Sequence, residues 1–383
     1  MSHPLVDQIQ AALGSVNDPE IRRPITELGM VESVEVEGSR AAITILLTVS
    51  GCPMRDRLTN DVTAAAKTVA GIDDVTVTFG VMNDQQRSAL QASLRGGKAP
   101  KEIPFARPDS LTKVYAIASG KGGVGKSSVT VNLAVAMARS GQKVGLIDAD
   151  IYGHSIPAML GIADQRPTQV DDMIMPVPTE EGPSVVSMGM FKPRRDQVVA
   201  WRGPMLDRAL VQMLSDFYWG DLDALLLDLP PGTGDMAISL GQHLPNAEVV
   251  VVTTPQEAAA EVAERAGTMA QMLKQRVVGV VENMSFLPCP HCGPSHRLDV
   301  FGTGGGERVA RTLSERFGTD VPLLGEIPLD PRLREGGDSG RPLVVTDPDA
   351  PASMAFTEVA RRLSSRGRNL VGMQLGLTPT SKL

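Results

Sequence analysis

Eight consecutive residues, Gly120-Lys121-Gly122-Gly123-Val124-Gly125-Lys126-Ser127, have the types and spacing that suit the cradling of phosphate. They fit the pattern G-x-x-x-x-G-K-[ST]. The glycines let backbone N–H groups turn inward around phosphate oxygens, and a helix opening there adds the partial positive charge of its N-terminus. Lys126 is placed to reach the β- and γ-phosphates, and Ser127 to hold Mg²⁺. A glycine-rich turn at a strand end is the plainer alternative, but the motif has its full context, the apolar run VYAIAS before it and the helical pattern VTVNLAVAMARS after it. Gly120, Lys121, Gly122, Gly123, Val124, Gly125, Lys126, Ser127 and Ser128 are therefore expected to line a nucleotide site.

Two acidic clusters accompany the loop. Asp148 and Asp150 end KVGLIDAD, and Asp228 ends ALLLD ahead of Leu-Pro-Pro-Gly-Thr-Gly-Asp. In an open parallel sheet, ligands bind at the carboxyl ends of the strands. A carboxylate there can hold Mg²⁺, bind one of its waters or orient an attacking water; capping of a helix by aspartate is the alternative.

The chain has three cysteines, an odd number in a long chain, which argues against a disulfide framework. Two form Cys289-Pro290-His291-Cys292, in an expected polar loop between a strand and glycine-rich sequence. A tetrahedral metal site needs four ligands, and a cubane cluster usually takes four cysteines. One chain supplies two here, and a symmetric dimer would supply four at its two-fold axis. That count favours a bridging [4Fe–4S] cluster. Zinc completed by His291 or His296 is a second reading. A redox dithiol is a third, although the loop does not open a helix as such motifs usually do.

The surrounding pattern supplies elements to position these groups. Apolar runs at VYAIAS, KVGLID, 224–228, 247–254 and 276–283 do not alternate, so each is expected to be buried on both faces, with helices between. The fold class is thus α/β, a mostly parallel sheet flanked by helices, over residues 111–365. Before it, helical spacing over 3–14, a strand over 41–49, a helix over 54–70 opened by Cys52-Pro53 and a strand over 74–80 predict a small α/β domain spanning 1–93. Residues 94–110, rich in Gly, Pro and charge, read as a linker, and 366–383 as a loosely structured tail.

A net charge of −7 argues against broad coating of nucleic acid. The first residues lack a basic start followed by an apolar run, and no stretch reaches the roughly 18 apolar residues of a membrane span. A cytoplasmic protein with no membrane or nucleic-acid partner is expected. The terminal Ser381-Lys382-Leu383 matches a peroxisomal address, a three-residue match that chance supplies readily.

The K-G-G-V-G-K-S form of the loop resembles the deviant phosphate loop of the family that includes MinD, ParA and the nitrogenase iron protein. The resemblance implies that Lys121 reaches across a dimer to the partner's nucleotide, that Asp150 orients the attacking water and that Asp228 supports Mg²⁺ through water. Asn283 resembles the asparagine that reads adenine in that family; a turn asparagine is the other reading. From Lys113 to about Arg362, the motifs SGKGGVGKSS, DADIYG, DLPPGTGD and ENMSFLPCPHC resemble those of the Mrp/ApbC family of iron–sulfur cluster carrier ATPases. His154 departs from the proline usual there, and Ser155-Ile156-Pro157 resume the pattern.

The N-terminal domain is similar, through Asp18-Pro19-Glu20, Thr48 and Cys52-Pro53, to a small domain fused to such carriers and also found alone in iron–sulfur assembly factors. Cys52 just before a helix would have its thiol pKa lowered by the helix dipole and could be a transient ligand, or else a small buried residue. The resemblance implies a homodimeric, slow ATPase with catalytic Lys121, Lys126 and Asp150. Its ligands would be ATP, Mg²⁺ bound through Ser127 and Asp228, and a [4Fe–4S] cluster on Cys289 and Cys292, received from donors and passed to apoproteins. Two rivals stand beside this reading: a positioning ATPase on membrane or DNA, using the basic segment 358–375, and a zinc-binding scaffold that only binds nucleotide.

Overall fold

The structure is a computed structural model describing residues 4–18, 23–47, 55–83, 85–86, 90, 102–151, 153–170, 173–191 and 203–366. The chain divides into two units, Met1–Lys101 and Glu102–Leu383.

The smaller unit holds α1 (Pro4–Leu13), β1 (Val31–Glu37), β2 (Arg40–Leu47), α2 (Arg55–Ala66) and β3 (Asp74–Val81). Its sheet has the order β1-β2-β3. β1 and β2 form an antiparallel hairpin turned at Gly38, whose φ of 61° is left-handed, and α2 carries the chain over to β3, parallel to β2. Ile9 and Leu13, one helical turn apart, pack with Ile43, Ile45, Leu58 and Val62 in one core. β1, VESVEVE, is absent from the sequence expectations: glutamates at alternating places leave it half-exposed, so it lacks an apolar run. Asp18 is buried in this unit, and its N–H donates to Arg23 O at 2.9 Å. Pro19, Glu20, Thr48, Cys52 and Pro53 lie outside the described residues.

The larger unit begins inside the expected linker. Ile103 and Phe105 are buried, and the Phe105 ring meets Trp219 edge-on at 6.4 Å. Two apolar residues in a Pro-rich stretch show no period, so the sequence gives no sign that residues 102–110 pack here.

The frame of this unit is an eight-stranded sheet. Its strands are β4 (Lys113–Ser119), β5 (Val144–Asp148), β8 (Val177–Pro178), β9 (Ser184–Ser187), β10 (Ala224–Asp228), β11 (Glu248–Thr253), β12 (Arg276–Asn283) and β15 (Leu323–Ile327). The order is β15-β12-β11-β4-β10-β5-β9-β8. All neighbours run parallel except the edge pair β8–β9. The inner strands are buried throughout, and successive side chains divide between two cores. Val114, Ala116 and Ala118 face α5 (Gly203–Ser215), α6 (Asp235–His243), α7 (Glu257–Met272) and α8 (Gly305–Phe317). Tyr115 and Ile117 face α3 (Lys126–Arg139) and α11 (Pro351–Ser365), which contribute Leu133, Met137, Phe356 and Val359.

The remaining α-helices are α4 (Ile156–Met159), α9 (Pro331–Ser339) and α10 (Leu343–Thr346); two 3₁₀ turns, Pro104–Ala106 and Met188–Phe191, and two small hairpins complete the described elements, β6 (Thr168–Val170) with β7 (Met173–Met175) and β13 (Leu287–Cys289) with β14 (Gly293–Leu298). α11 covers the start of the basic segment 358–375. Glu358 pairs with Arg361 at 2.7 Å and Arg362 at 2.8 Å, and Arg366 donates to Val278 O, so these cations are engaged within the unit. The remainder of that segment, and the terminal tripeptide, lie outside the described residues. Among the described residues, no helix is long and apolar enough to cross a membrane.

Candidate functional site: a nucleotide cleft beside a paired-thiol hairpin

β4, β5 and β10 end at one level: Asp228 lies in register with both Ile117 and Asp148. The phosphate loop leaves β4 at this edge and opens α3. Gly125 sits before the helix at φ 78°, and no side chain caps the first turn, so the helix presents its N–H groups to a ligand. Gly120 is required by a close approach: a Cβ there would lie 2.2 Å from the backbone carbon of Val262 in α7.

Lys126 is almost fully buried and lies 2.7 Å from Asp228 Oδ2. Asp228 also accepts Ser127 Oγ at 2.6 Å and Thr130 Oγ1 at 2.7 Å. A buried carboxylate is costly unless paired and hydrogen-bonded, and here one cation and two hydroxyls compensate it. Thr130 escaped the sequence reading, although its place one helical turn after Lys126 puts it on the same face of α3. Ser127 and Asp228 together form an all-oxygen donor set beside the loop, the chemistry that suits Mg²⁺.

Asp148 is completely buried. It accepts Ser187 Oγ at 3.0 Å and, more weakly, the N–H groups of Asp150 at 3.3 Å and Ile156 at 3.4 Å. Burial first, and the charge of Asp228 second, push its carboxyl up to about 8. Its contacts grip both ends of the turn that carries Asp150. Asp150 itself accepts the N–H of Gly153 at 2.9 Å, a local turn that leaves its second oxygen for another role. His154 packs flat against Gly189, where any Cβ would collide with its ring. Lys121 Nζ meets Gln256 Oε1 of its own chain at 3.4 Å, a long contact to a neutral acceptor.

Asn283, at the end of β12, is buried against the loop. Its Nδ2 donates to Val124 O at 2.9 Å, and because that carbonyl only accepts, the amide orientation is fixed. Its Oδ1 is buried with no hydrogen-bond partner among the described residues. Beside it opens a cavity of about 590 Å³, lined among others by Gly125, Ser128, Met284, Leu329 and Arg334. That volume is in the range of small-molecule sites. Met284 turns the chain with φ 54°, a left-handed conformation that costs a non-glycine residue about 1 kcal/mol.

Six residues beyond Asn283 stands Cys289, the last residue of β13. The sequence predicts a polar loop for both cysteines. Instead they occupy a hairpin in which Cys289 is 8% exposed and only Cys292 is open to solvent. The Cys292 N–H donates to Cys289 Sγ at 3.4 Å, and this bond, followed by that from the His291 N–H, holds the Cys289 thiol below its usual range. Among the described residues, no three His, Cys, Asp or Glu side chains converge on one point.

A phosphate loop on the first strand of a parallel sheet, with carboxylates closing its far side, defines a P-loop NTPase. Residues 110–364 match the model of the NUBPL iron-transfer P-loop NTPases, and residues 6–79 match that of iron–sulfur cluster assembly proteins. The chain is 57% identical to the iron-sulfur cluster carrier protein of Mycobacterium tuberculosis over 98% of this chain and 97% of that one. It is 42% identical to the protein of the same name from Deinococcus radiodurans, over 94% and 95%. Among solved structures, it resembles a nucleotide-binding protein of Archaeoglobus fulgidus in complex with ADP, at 38% identity and a TM-score of 0.53 over 62% of this chain and 90% of that one. The chain belongs to the family of iron-transfer P-loop NTPases and carries an iron–sulfur assembly domain ahead of the nucleotide unit.

Proposed function

We propose that this protein is an ATP-hydrolysing carrier of [4Fe–4S] clusters, which it holds between two copies of the chain and releases to apoproteins. The observation that carries this reading is the supply of ligands beside the nucleotide cleft. One hairpin offers two thiols, and among the described residues no third His, Cys, Asp or Glu side chain groups with them. A cubane takes four, so two hairpins meeting at a two-fold axis complete the set.

The residues of the cleft divide the work of hydrolysis. The N–H groups of the loop and of the first turn of α3 bind phosphate oxygens. Lys126 passes from Asp228 to the β- and γ-phosphates and neutralises charge there. Ser127 Oγ and the Asp228 carboxylate would hold Mg²⁺, which would offset the charge of the phosphates. Asp150 orients the attacking water, with its turn held by Asp148. Lys121, tied only loosely to Gln256, reaches the nucleotide of the second copy. The unpartnered Oδ1 of Asn283 accepts the exocyclic amine of adenine. Positioning and charge compensation carry the reaction, without a covalent intermediate.

Anaerobic reconstitution, followed by iron, sulfide and zinc analysis per dimer, tests the reading. Four irons and four sulfides per dimer are expected. One zinc per chain with no sulfide would overturn it in favour of a zinc scaffold.

A further inference from the structure

Phe286 lies midway between Asn283 and Cys289, three residues from each, and it is fastened on both sides. Its carbonyl accepts the N–H of Leu329 at 2.8 Å, and Leu329 lines the cavity. Its ring lies under the Arg297 guanidinium at 3.9 Å. Arg297 belongs to the thiol hairpin, paired across it with Pro288, and it also bonds Glu326 at 3.1 Å. The residue before Phe286 is fixed as well: the Ser285 N–H donates to Ile327 O at 2.9 Å and its hydroxyl to Glu282 at 2.5 Å. Glu282, fully buried, accepts the Gly306 N–H at the start of α8.

We propose that Phe286 is a positioning residue that transmits occupancy of the nucleotide cavity to the Cys289–Cys292 hairpin of the same chain. The wall of the cavity and the base of the hairpin hold the same residue, one through its carbonyl and the other through its ring. A nucleotide that shifts the Leu329 wall or the Asn283 amide therefore shifts the hairpin. This path lies within one chain and runs apart from the aspartates at the ends of β5 and β10. The inference rests on the nucleotide and thiol assignments above, but not on what the thiols hold.

The test uses the full-length, cluster-free protein, so it stands apart from reconstitution. The rate of Cys292 alkylation by N-ethylmaleimide is measured with and without saturating Mg-ADP. In the wild type, ADP is expected to change the rate by about fivefold or more. In Phe286→Leu, the ADP effect on alkylation should fall below about twofold while ADP affinity stays within about threefold of wild type, and Phe286→Tyr should restore the coupling. Arg297→Gln, which keeps the hairpin but removes the cation over the ring, should also uncouple and serves where Phe286→Leu does not fold. An alkylation rate indifferent to ADP in the wild type, or full coupling in both Phe286→Leu and Arg297→Gln, would overturn the assignment.

Discussion

The Lys126 ammonium stands 2.7 Å from the Asp228 carboxylate, and both groups are buried, Asp228 completely. Each compensates the other's burial, so either one alone would be an uncompensated charge. Lys126→Ala should lower ATP turnover by about a hundredfold or more, since the phosphates lose their principal cation. It should also destabilise the larger unit by about 3 kcal/mol through the stranded Asp228. Phosphate release and chemical denaturation check the two effects, and wild-type turnover would remove the loop from the reaction.

Asp148 predicts a pH dependence. Its carboxyl rises from an ordinary 3.8 to about 8 on folding. Between those values the folded state holds a proton that the unfolded state has released, so stability is full below pH 4 and is lost as pH rises towards 8. Asp148→Asn mimics the protonated acid. Measured without nucleotide or magnesium, the stability of the wild type relative to Asp148→Asn should fall steadily across that window. Parallel stability curves would assign the proton elsewhere.

The Lys121 ammonium meets Gln256 Oε1 at a long 3.4 Å in its own chain. Lys121→Ala should therefore keep ATP binding within a few-fold while lowering hydrolysis. A dimer mixing Lys121→Ala with Lys126→Ala chains separates the roles. Activity that depends on the intact lysine of the opposite chain is expected, and activity that follows each chain's own loop would disprove action across the interface.

Asn283 offers adenine one acceptor, its buried Oδ1. Asn283→Ala should weaken ATP binding by about tenfold, the worth of one hydrogen bond, and leave GTP binding nearly unchanged. Calorimetric titration of both nucleotides tests this; equal losses would mean that the amide serves only to hold Val124.

Replacing Cys289 or Cys292 with Ala removes two of the four proposed cluster ligands at once, one per copy. Iron and sulfide should disappear after reconstitution, while ATP turnover stays within a few-fold. A full cluster in Cys289→Ala would end the bridging model. Cys52→Ala should keep the cluster and alter only its loading or delivery.

The sequence carries most of the cleft because its signals are local. Glycine spacing, a lysine-serine pair and aspartates at strand ends are chemistry written in consecutive residues. The parallel sheet was legible from apolar runs buried on both faces. What escaped notice depends on distant partners. Ser187 matters because β9 lies next to β5, and no spacing links it to Asp148. Phe286 and Glu282 find their partners on β15, the hairpin and α8, which no local spacing indicates. The thiol hairpin, built from Pro, His, Gly and Cys, lacks strand propensity, and its form comes from packing beside Phe286 and Arg297.

Gly120 lies flat against the backbone of Val262, and Asn283 holds the carbonyl of Val124. The phosphate-binding motif is complete by residue 127, yet its rear wall arrives only with α7, and the clamp on its rim 21 residues after that wall. Contacts of such long sequence separation form late in folding. During synthesis, the nascent chain therefore contains the motif long before it has a nucleotide site. The Leu329 and Arg334 wall of the cavity comes later still. The ribosome thus delivers the cysteine pair before the nucleotide cleft beside it is complete.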